Sequence, residues 1–305
     1  MKDVPETKYA QLQDTGIRDF LIAGELFYPP EAINFTVAQQ RLYYDSYCAH
    51  FRKSRPFGVG IEDFQLGSIA CRRYTPQAAN ATKLLYLHGG GFVVGGLESH
   101  DDICAELAAG TDLETVAVQY RLAPENPFPA ALEDCWTVLQ HMTAGGLPVI
   151  VAGDSAGGNL AAALCLKAQG LKLREAIKGQ VLIYPGLGGD TTKGSYLTQV
   201  SAPGLSTADV LYYRDIYQGH GHPFAEPLKA ESHVGLPPAF LVAAALDPLS
   251  DDCEAYASKL KACGVAAEVR HEPDLVHAFL RARHMSIAAA RSFAEIIAAI
   301  RRFAA

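Results

Sequence analysis

The chain has 305 residues, 49% of them hydrophobic and 19% charged, with a formal net charge of −7. That length buries roughly 75% of the surface exposed by the unfolded chain, enough for one large domain or a domain with a small appendage. The acidic balance repels phosphate backbones and argues against nucleic acid as a partner, and the short basic clusters Arg52-Lys53-Ser54-Arg55 and Arg301-Arg302 read as solvated surface.

At the N-terminus, Met1-Lys2-Asp3-Val4-Pro5-Glu6 lacks the basic-then-apolar pattern of a signal peptide. Residues 1–55 read as helical and aromatic-rich, with Phe20, Phe27, Tyr28, Phe35, Tyr43, Tyr44, Tyr47 and Phe51. From about Val59 the texture changes to short β-like runs at 84–87, 115–119, 149–152, 180–184, 239–245 and 266–271. Alanine-rich stretches with helical spacing alternate with them, at 130–142, 156–169, 252–262 and 286–303. Strand–helix alternation predicts an α/β fold, a mainly parallel sheet covered by helices on both faces. The near-continuous apolar strands fit burial on both sides.

One connection breaks the rhythm. Residues 186–237 are rich in glycine, serine and threonine and hold one helical pattern, 207–218. Connections of this length are usually lids or binding elements, and this one pairs naturally with residues 1–55 as a small helical cap. The alternative is a peripheral decoration. No run approaches the ~18 apolar residues of a membrane span, and the longest, 236–246, contains two prolines. Seven cysteines without a CxxC pair indicate neither a disulfide framework nor a zinc site. They read mainly as buried thiols, so a cytoplasmic location is expected.

The sharpest motif is Gly153-Asp154-Ser155-Ala156-Gly157, which follows an apolar strand and opens a small-residue helix. In that context Gly-x-Ser-x-Gly is a nucleophile elbow: a sharp turn exposes the serine, and its flanks press on backbone where only glycine fits. The helix N-terminus favours a developing anion at Ser155. His88-Gly89-Gly90-Gly91-Phe92 directly follows the strand 84–87. Its backbone N–H groups, with that of Ala156, suit an oxygen that gains charge during reaction. A phosphate-binding loop would need Gly-x-x-x-x-Gly-Lys-Ser/Thr, and a dinucleotide site an early Gly-x-Gly-x-x-Gly; neither occurs.

A serine hydroxyl needs a base. Behind such an elbow the order is serine, acid, histidine. His277, in a loop before the last helix, is the leading base, with His284 and His271 as alternatives. Asp247 is the first carboxylate after the strand 239–245 and the leading acid, with Asp251 as its alternative. Asp251 and Asp252 otherwise read as stabilisers of the following helix N-terminus.

Together these motifs resemble the hormone-sensitive-lipase-like family of bacterial carboxylesterases, in its Gly-Asp-Ser-Ala-Gly branch of the α/β-hydrolase fold. The matching residues are Tyr86-Leu87-His88-Gly89-Gly90-Gly91-Phe92, Gln119-Tyr120-Arg121-Leu122-Ala123-Pro124-Glu125 with Pro127-Phe128-Pro129-Ala130-Ala131, Gly153 to Gly157, Asp247-Pro248-Leu249 and His277. The resemblance implies a catalytic domain over 56–305, a cap built from 1–55 and an insertion at about 186–237, and a triad of Ser155, Asp247 and His277. It implies an oxyanion hole from the backbones of Gly89, Gly90 and Ala156. His88 is expected to order the glycine loop, Asp154 to support the elbow, and 120–125 to be a turn with buried Arg and Glu partners.

The implied activity is hydrolysis of small, short- to medium-chain esters through an acyl-serine intermediate, without metal or organic cofactor. An amidase or thioesterase could use the same groups. A ligand-binding receptor on this fold would lack a functional triad, whereas all three positions are filled here. The resemblance also raises a homodimer joined along an edge strand near 266–271, which the sequence itself does not show. Three positions depart from the family pattern: Ala278 stands where glycine usually follows the histidine, Asn126 where histidine is common, and Ser250 where a larger residue is frequent.

Overall fold

The computed structural model describes residues 9–305; the expectation for Met1 to Glu6 lies outside them. Among the described residues, eight strands form one sheet in the order β1-β2-β4-β3-β5-β6-β7-β8. They are β1 (Gly60–Leu66), β2 (Ile69–Thr75), β3 (Lys83–Leu87), β4 (Glu114–Val118), β5 (Val149–Asp154), β6 (Ile177–Ile183), β7 (Ala239–Leu246) and β8 (Ala267–Val276). β3 to β8 run parallel, and the β1–β2 hairpin adds antiparallel strands at one edge.

Alternation along the strands splits the core into two layers. Leu85, Leu87, Val151, Leu241 and Ala243 face one side, with α4 (Ala130–Met142), α5 (Ala156–Ala168) and α8 (Ser250–Ala262). Leu84, Tyr86, Ile150, Ala152, Phe240 and Val242 face the other, with α3 (Asp101–Thr111) and α9 (Ile287–Ala304). Each fully buried Leu, Val, Ile or Phe contributes about 1.5–3 kcal/mol, so this two-sided burial is what holds the sheet rigid under its loops. Ala161, Ala162 and Ala163 make α5 slim enough to lie buried against β3, β5 and β6.

The N-terminal segment forms α1 (Thr15–Phe27) and α2 (Val37–Phe51), each opened by a side-chain cap, Asp14 and Thr36. Residues 186–237 hold α6 (Ser195–Thr198) and α7 (Thr207–Tyr217). Asp251 and Asp252 do not turn back onto their own helix. Asp251 accepts the Ser195 N–H at 2.8 Å, and Asp252 accepts the Leu187 N–H at 2.6 Å, so they tether the long connection to α8. Asn159 on α5 pins the same connection at two further points, donating to the Gly186 and Ala225 carbonyls at 2.7 and 2.8 Å.

Two expectations change. The last strand does not stop at His271 but runs to Val276. It tolerates Pro273 because it is a sheet edge, where a missing N–H costs no ladder bond. Arg121 and Glu125 of the 120–125 turn are not buried, although Asp134, the partner of Arg121, is. Arg121 pairs with Asp134 from a half-exposed position, and the exposed Glu125 takes a two-pronged contact from Arg41 of α2.

Candidate active site

Four strands end at the same edge of the sheet, and each releases a polar residue on its next step: His88 after β3, Ser155 after β5, Asp247 after β7 and His277 after β8. Sites of open α/β sheets gather at this edge. Leu246 is paired with Val276 across β7 and β8, past a register shift, so Asp247 and His277 leave the sheet side by side.

Ser155 sits at φ +53°, ψ −118°, a strained conformation for a residue with a Cβ. The flanking glycines make the turn sterically feasible. A Cβ on Gly157 would lie 1.9 Å from the Leu87 carbonyl oxygen, and one on Gly153 would lie 2.4 Å from Gly157. The turn aims Ser155 Oγ at His277 Nε2, 2.9 Å away. His277 Nδ1 meets Asp247 Oδ2 at 2.6 Å, and the other carboxylate oxygen of Asp247 accepts the Leu249 N–H at 2.9 Å. Asp247 is fully buried, so its carboxylate is committed to these partners. A carboxylate on Nδ1 leaves the Nε2 lone pair facing the serine hydroxyl. The alternatives lie elsewhere: His271 pairs with Glu254, His284 with Glu106, and Asp251 with Ser195.

The glycine loop corrects one expectation. The Gly89 N–H is donated to Asp154 Oδ1 at 3.1 Å and is not available to an oxyanion. Gly89 is absent from the lining of the cavity at Ser155, whereas Gly90, Gly91 and Ala156 contribute to it. Among the described residues neither Gly90 nor Gly91 has an acceptor for its N–H. Both take positive φ, +124° and +59°, which glycine adopts at little cost. The sequence could not tell which of three adjacent glycines the buried carboxylate claims.

His88 orders this loop. Its Nδ1 bonds the Gly89 carbonyl at 2.8 Å, and its ring stacks on Tyr120 with centroids 4.1 Å apart. Burial, reinforced by the nearby His100, pushes its pKa down to about 3, so it stays neutral at ordinary pH. Asp154 also accepts the Tyr86 hydroxyl at 2.8 Å.

Ser155 opens into a cavity of about 530 Å³. Its walls come from the N-terminal helices (Phe20, Tyr44, Tyr47) and from the long connection (Leu205, Val210, Tyr213), as well as from the sheet edge. The size suits a small molecule, and the aromatic and aliphatic walls suit an apolar one. Among the described residues no helix is long and apolar enough to cross a membrane.

Comparison with known proteins agrees with this geometry. A family model described as alpha/beta hydrolase fold matches residues 84–281. Esterase LipI of Mycobacterium tuberculosis is 38% identical over 72% of this chain and 73% of its own. Carboxylic ester hydrolase LipN of the same organism is 38% identical over 77% of this chain and 67% of its own. The solved structure of a hyperthermophilic esterase from the archaeon Pyrobaculum calidifontis superposes with a TM-score of 0.82 at 32% identity, covering 89% of this chain and 93% of that one. Fold, motif order and relatives together show that this chain belongs to the α/β-hydrolase fold family, within the hormone-sensitive-lipase-like group of bacterial esterases.

Proposed function

We propose that the protein hydrolyses small, neutral carboxylic esters of short to medium acyl chain, with Ser155 as nucleophile, His277 as general base and acid, and Asp247 as the group that orients His277. The observation that carries this reading is the continuous Ser155–His277–Asp247 hydrogen-bond chain at the floor of an apolar cavity. Relatives named esterase and carboxylic ester hydrolase support the choice of ester.

The proposed steps use these groups in turn. The Ser155 hydroxyl gives its proton to His277 Nε2 as Oγ bonds to the ester carbonyl carbon. The carbonyl oxygen takes up the negative charge and is met by the N–H groups of Gly90, Gly91 and Ala156; one such donor is worth about 2.7–4 kcal/mol. Asp247 stabilises the imidazolium without taking its proton. His277 then protonates the leaving alkoxide, which leaves an acyl-serine. A water molecule, deprotonated by His277, attacks the acyl-serine carbonyl; His277 returns that proton to Ser155 Oγ as the Oγ–acyl bond breaks and the acid leaves. Residues 1–55 and 186–237 act as a cap that shapes the pocket over a catalytic domain spanning 56–305.

All seven cysteines are free, which fits a reducing compartment such as the cytoplasm. A homodimer would form along β8, an edge strand of the sheet, and light scattering tests it. The decisive experiment is Ser155→Ala on p-nitrophenyl esters of increasing chain length. The expected loss in kcat is about four orders of magnitude or more. Activity within tenfold of the parent overturns the nucleophile assignment, and a preference for long acyl chains overturns the substrate class.

A further inference from the structure

The structure points to two buried opposite charges beside Ser155, Asp154 and Arg281, that reach the cavity wall and that the reaction steps above do not use. Asp154 is only 4% exposed and carries the Gly89 N–H and the Tyr86 hydroxyl on one oxygen. Among the described residues no lysine or arginine touches it; its ionic contact is His100 Nε2, 3.2 Å from Oδ1. On the far side of that same nitrogen stands Arg281, whose guanidinium lies 3.3 Å away. Arg281 sits in the turn Phe279–Ala282, just after His277, and is 5% exposed. It is locked by donation to the Ser99 carbonyl at 2.7 Å and the Tyr44 hydroxyl at 3.1 Å, with the Tyr44 and Tyr47 rings 5.4 and 5.7 Å from its carbon centre.

Burial by itself would raise the Asp154 pKa. The His100 ring, the Tyr86 hydroxyl and the Arg281 charge outweigh it and hold the carboxyl below the usual range. Burial and the Arg281 charge push the His100 pKa down against the pull of the Asp154 carboxylate, so Arg281 is the permanent positive charge of the group. The glycine loop rests directly on this carboxylate: a Cβ on Gly89 would lie 2.5 Å from Asp154 Oδ2. Displacing Asp154 therefore displaces Gly89, and with it Gly90 and Gly91.

We propose that Arg281 is a positioning residue for ester hydrolysis: its permanent charge, across His100, is the counter-charge that holds the Asp154 carboxylate in place, and Asp154 in turn aims the Gly90 and Gly91 N–H groups at the reacting oxygen. The effect should appear in the transition state and not in ground-state binding. The inference rests on the ester-hydrolase reading, and fluorophosphonate labelling of parent Ser155 separates the two. A parent that is neither labelled nor active on p-nitrophenyl acetate overturns that reading; an active parent leaves the Arg281 test standing.

The test is a double-mutant cycle read by kcat, KM and inhibition by a trifluoromethyl ketone, whose serine adduct carries an oxyanion. Arg281→Met should lower kcat on p-nitrophenyl acetate about tenfold to a hundredfold, the range expected when an oxyanion donor is misplaced, with KM moving less than about threefold. Inhibitor affinity should fall by the same factor as kcat. Arg281→Lys, which keeps the charge, should recover most of the loss. In an Asp154→Asn background, Arg281→Met should add less than about twofold, because no carboxylate is left to balance. The double variant leaves no buried charge unpaired, so it carries the test if Arg281→Met alone does not fold. A kcat within twofold of the parent, a loss confined to KM, or losses that multiply across the cycle overturns the proposal.

Discussion

The Tyr217 ring lies flat on Phe92, with centroids 3.6 Å apart and planes 4° from parallel. Phe92 is the residue immediately after the glycine loop, and Tyr217 ends α7 of the long connection. A second contact lies beside it: a Cβ on Gly91 would fall 2.4 Å from the Tyr213 ring, one turn earlier on α7. α7 thus presses on the same backbone whose N–H groups line the cavity. The loop is held from below by Asp154 and from above by α7.

That contact is testable with a matched pair of variants. Tyr217→Leu removes the stacked ring, and aromatic pairs contribute about 0.5–1.5 kcal/mol beyond area burial. The expected result is a lower melting temperature and a kcat reduced about fivefold, as Phe92 and the glycines gain freedom. Tyr217→Phe keeps the stack and removes a hydroxyl that is buried without a partner among the described residues. It should match the parent in kcat and equal or exceed it in stability, since a lone buried hydroxyl carries a desolvation cost. Thermal melts and p-nitrophenyl acetate kinetics on the two variants check both statements.

The elbow admits no side chain at Gly157. A Cβ there meets the Leu87 carbonyl oxygen at 1.9 Å and the His88 oxygen at 2.7 Å, and both are backbone atoms of a strand end that cannot swing aside. Gly157→Ala should therefore cost roughly 3 kcal/mol or more in urea unfolding, at the upper end of overpacking effects. Fluorophosphonate labelling of Ser155 should fall with it. A stable, fully labelled variant would show that the β3 and β5 ends slide past each other freely.

What was legible in the sequence follows from burial. α4 begins and ends as its apolar spacing predicts, at Ala130 and Met142, because one face is buried along its whole length. Ser155 and Asp247 could be singled out because each stands one step past a buried apolar strand, whereas His277 follows the half-exposed β8 and was singled out by chain order and by its place before the last helix. The β1–β2 hairpin was not legible, because each strand carries two consecutive charges at its centre, Glu62-Asp63 and Arg72-Arg73, which break any apolar run. Arg72 pairs with Asp63 and Arg73 with Glu62 across the hairpin, so no apolar run marks it. α3 was missed for a related reason: its first turn buries Asp101 and Asp102 among arginines, which reads as surface until Arg55, Arg72 and Arg283 are seen around it. The donor role given to Gly89 failed because it depends on a carboxylate 65 positions away in the chain.

Asp252 gives a pH dependence of definite sign. It is 1% exposed, and burial raises its pKa to about 6 despite the N–H groups of Leu187 and Gly189 and the Tyr196 hydroxyl. A carboxyl raised on folding binds its proton more tightly in the native state, so its contribution to stability is full below pH ~4 and is lost as pH rises through about 6. Asp101, Asp102 and Asp154 are held low and pull the other way, so the parent's net profile does not isolate the effect. The difference between Asp252→Asn and parent does. The variant should gain stability relative to the parent between pH 4 and 7, by up to about 3 kcal/mol. Urea titrations at four pH values measure it; a pH-independent difference would mean that Asp252 ionises in the fold as it does in the open chain.

Ala278 is the departure from the family pattern with the clearest physical consequence. It holds φ +61°, ψ +21°, the left-handed region, where the family usually has glycine. A residue with a Cβ pays about 1–2 kcal/mol there, and glycine does not. The strain sits directly after His277, whose ring must meet Ser155 on one side and Asp247 on the other. Ala278→Gly relieves the strain but loosens the unfolded chain, an opposing term of about 0.4–1 kcal/mol. The net expectation is a gain of roughly 0.5–1 kcal/mol in unfolding free energy. Activity separates two roles for the strain. If it only costs stability, kcat on p-nitrophenyl acetate stays within twofold while the melting temperature rises. If the methyl group also fixes the His277 loop, kcat falls as stability rises, because the added freedom lets the imidazole leave its 2.9 Å contact with Ser155. Ala278 also lines the cavity, so removing its methyl should widen the pocket beside the reacting carbonyl, and the KM ratio between branched and linear acyl esters is where that change would be read.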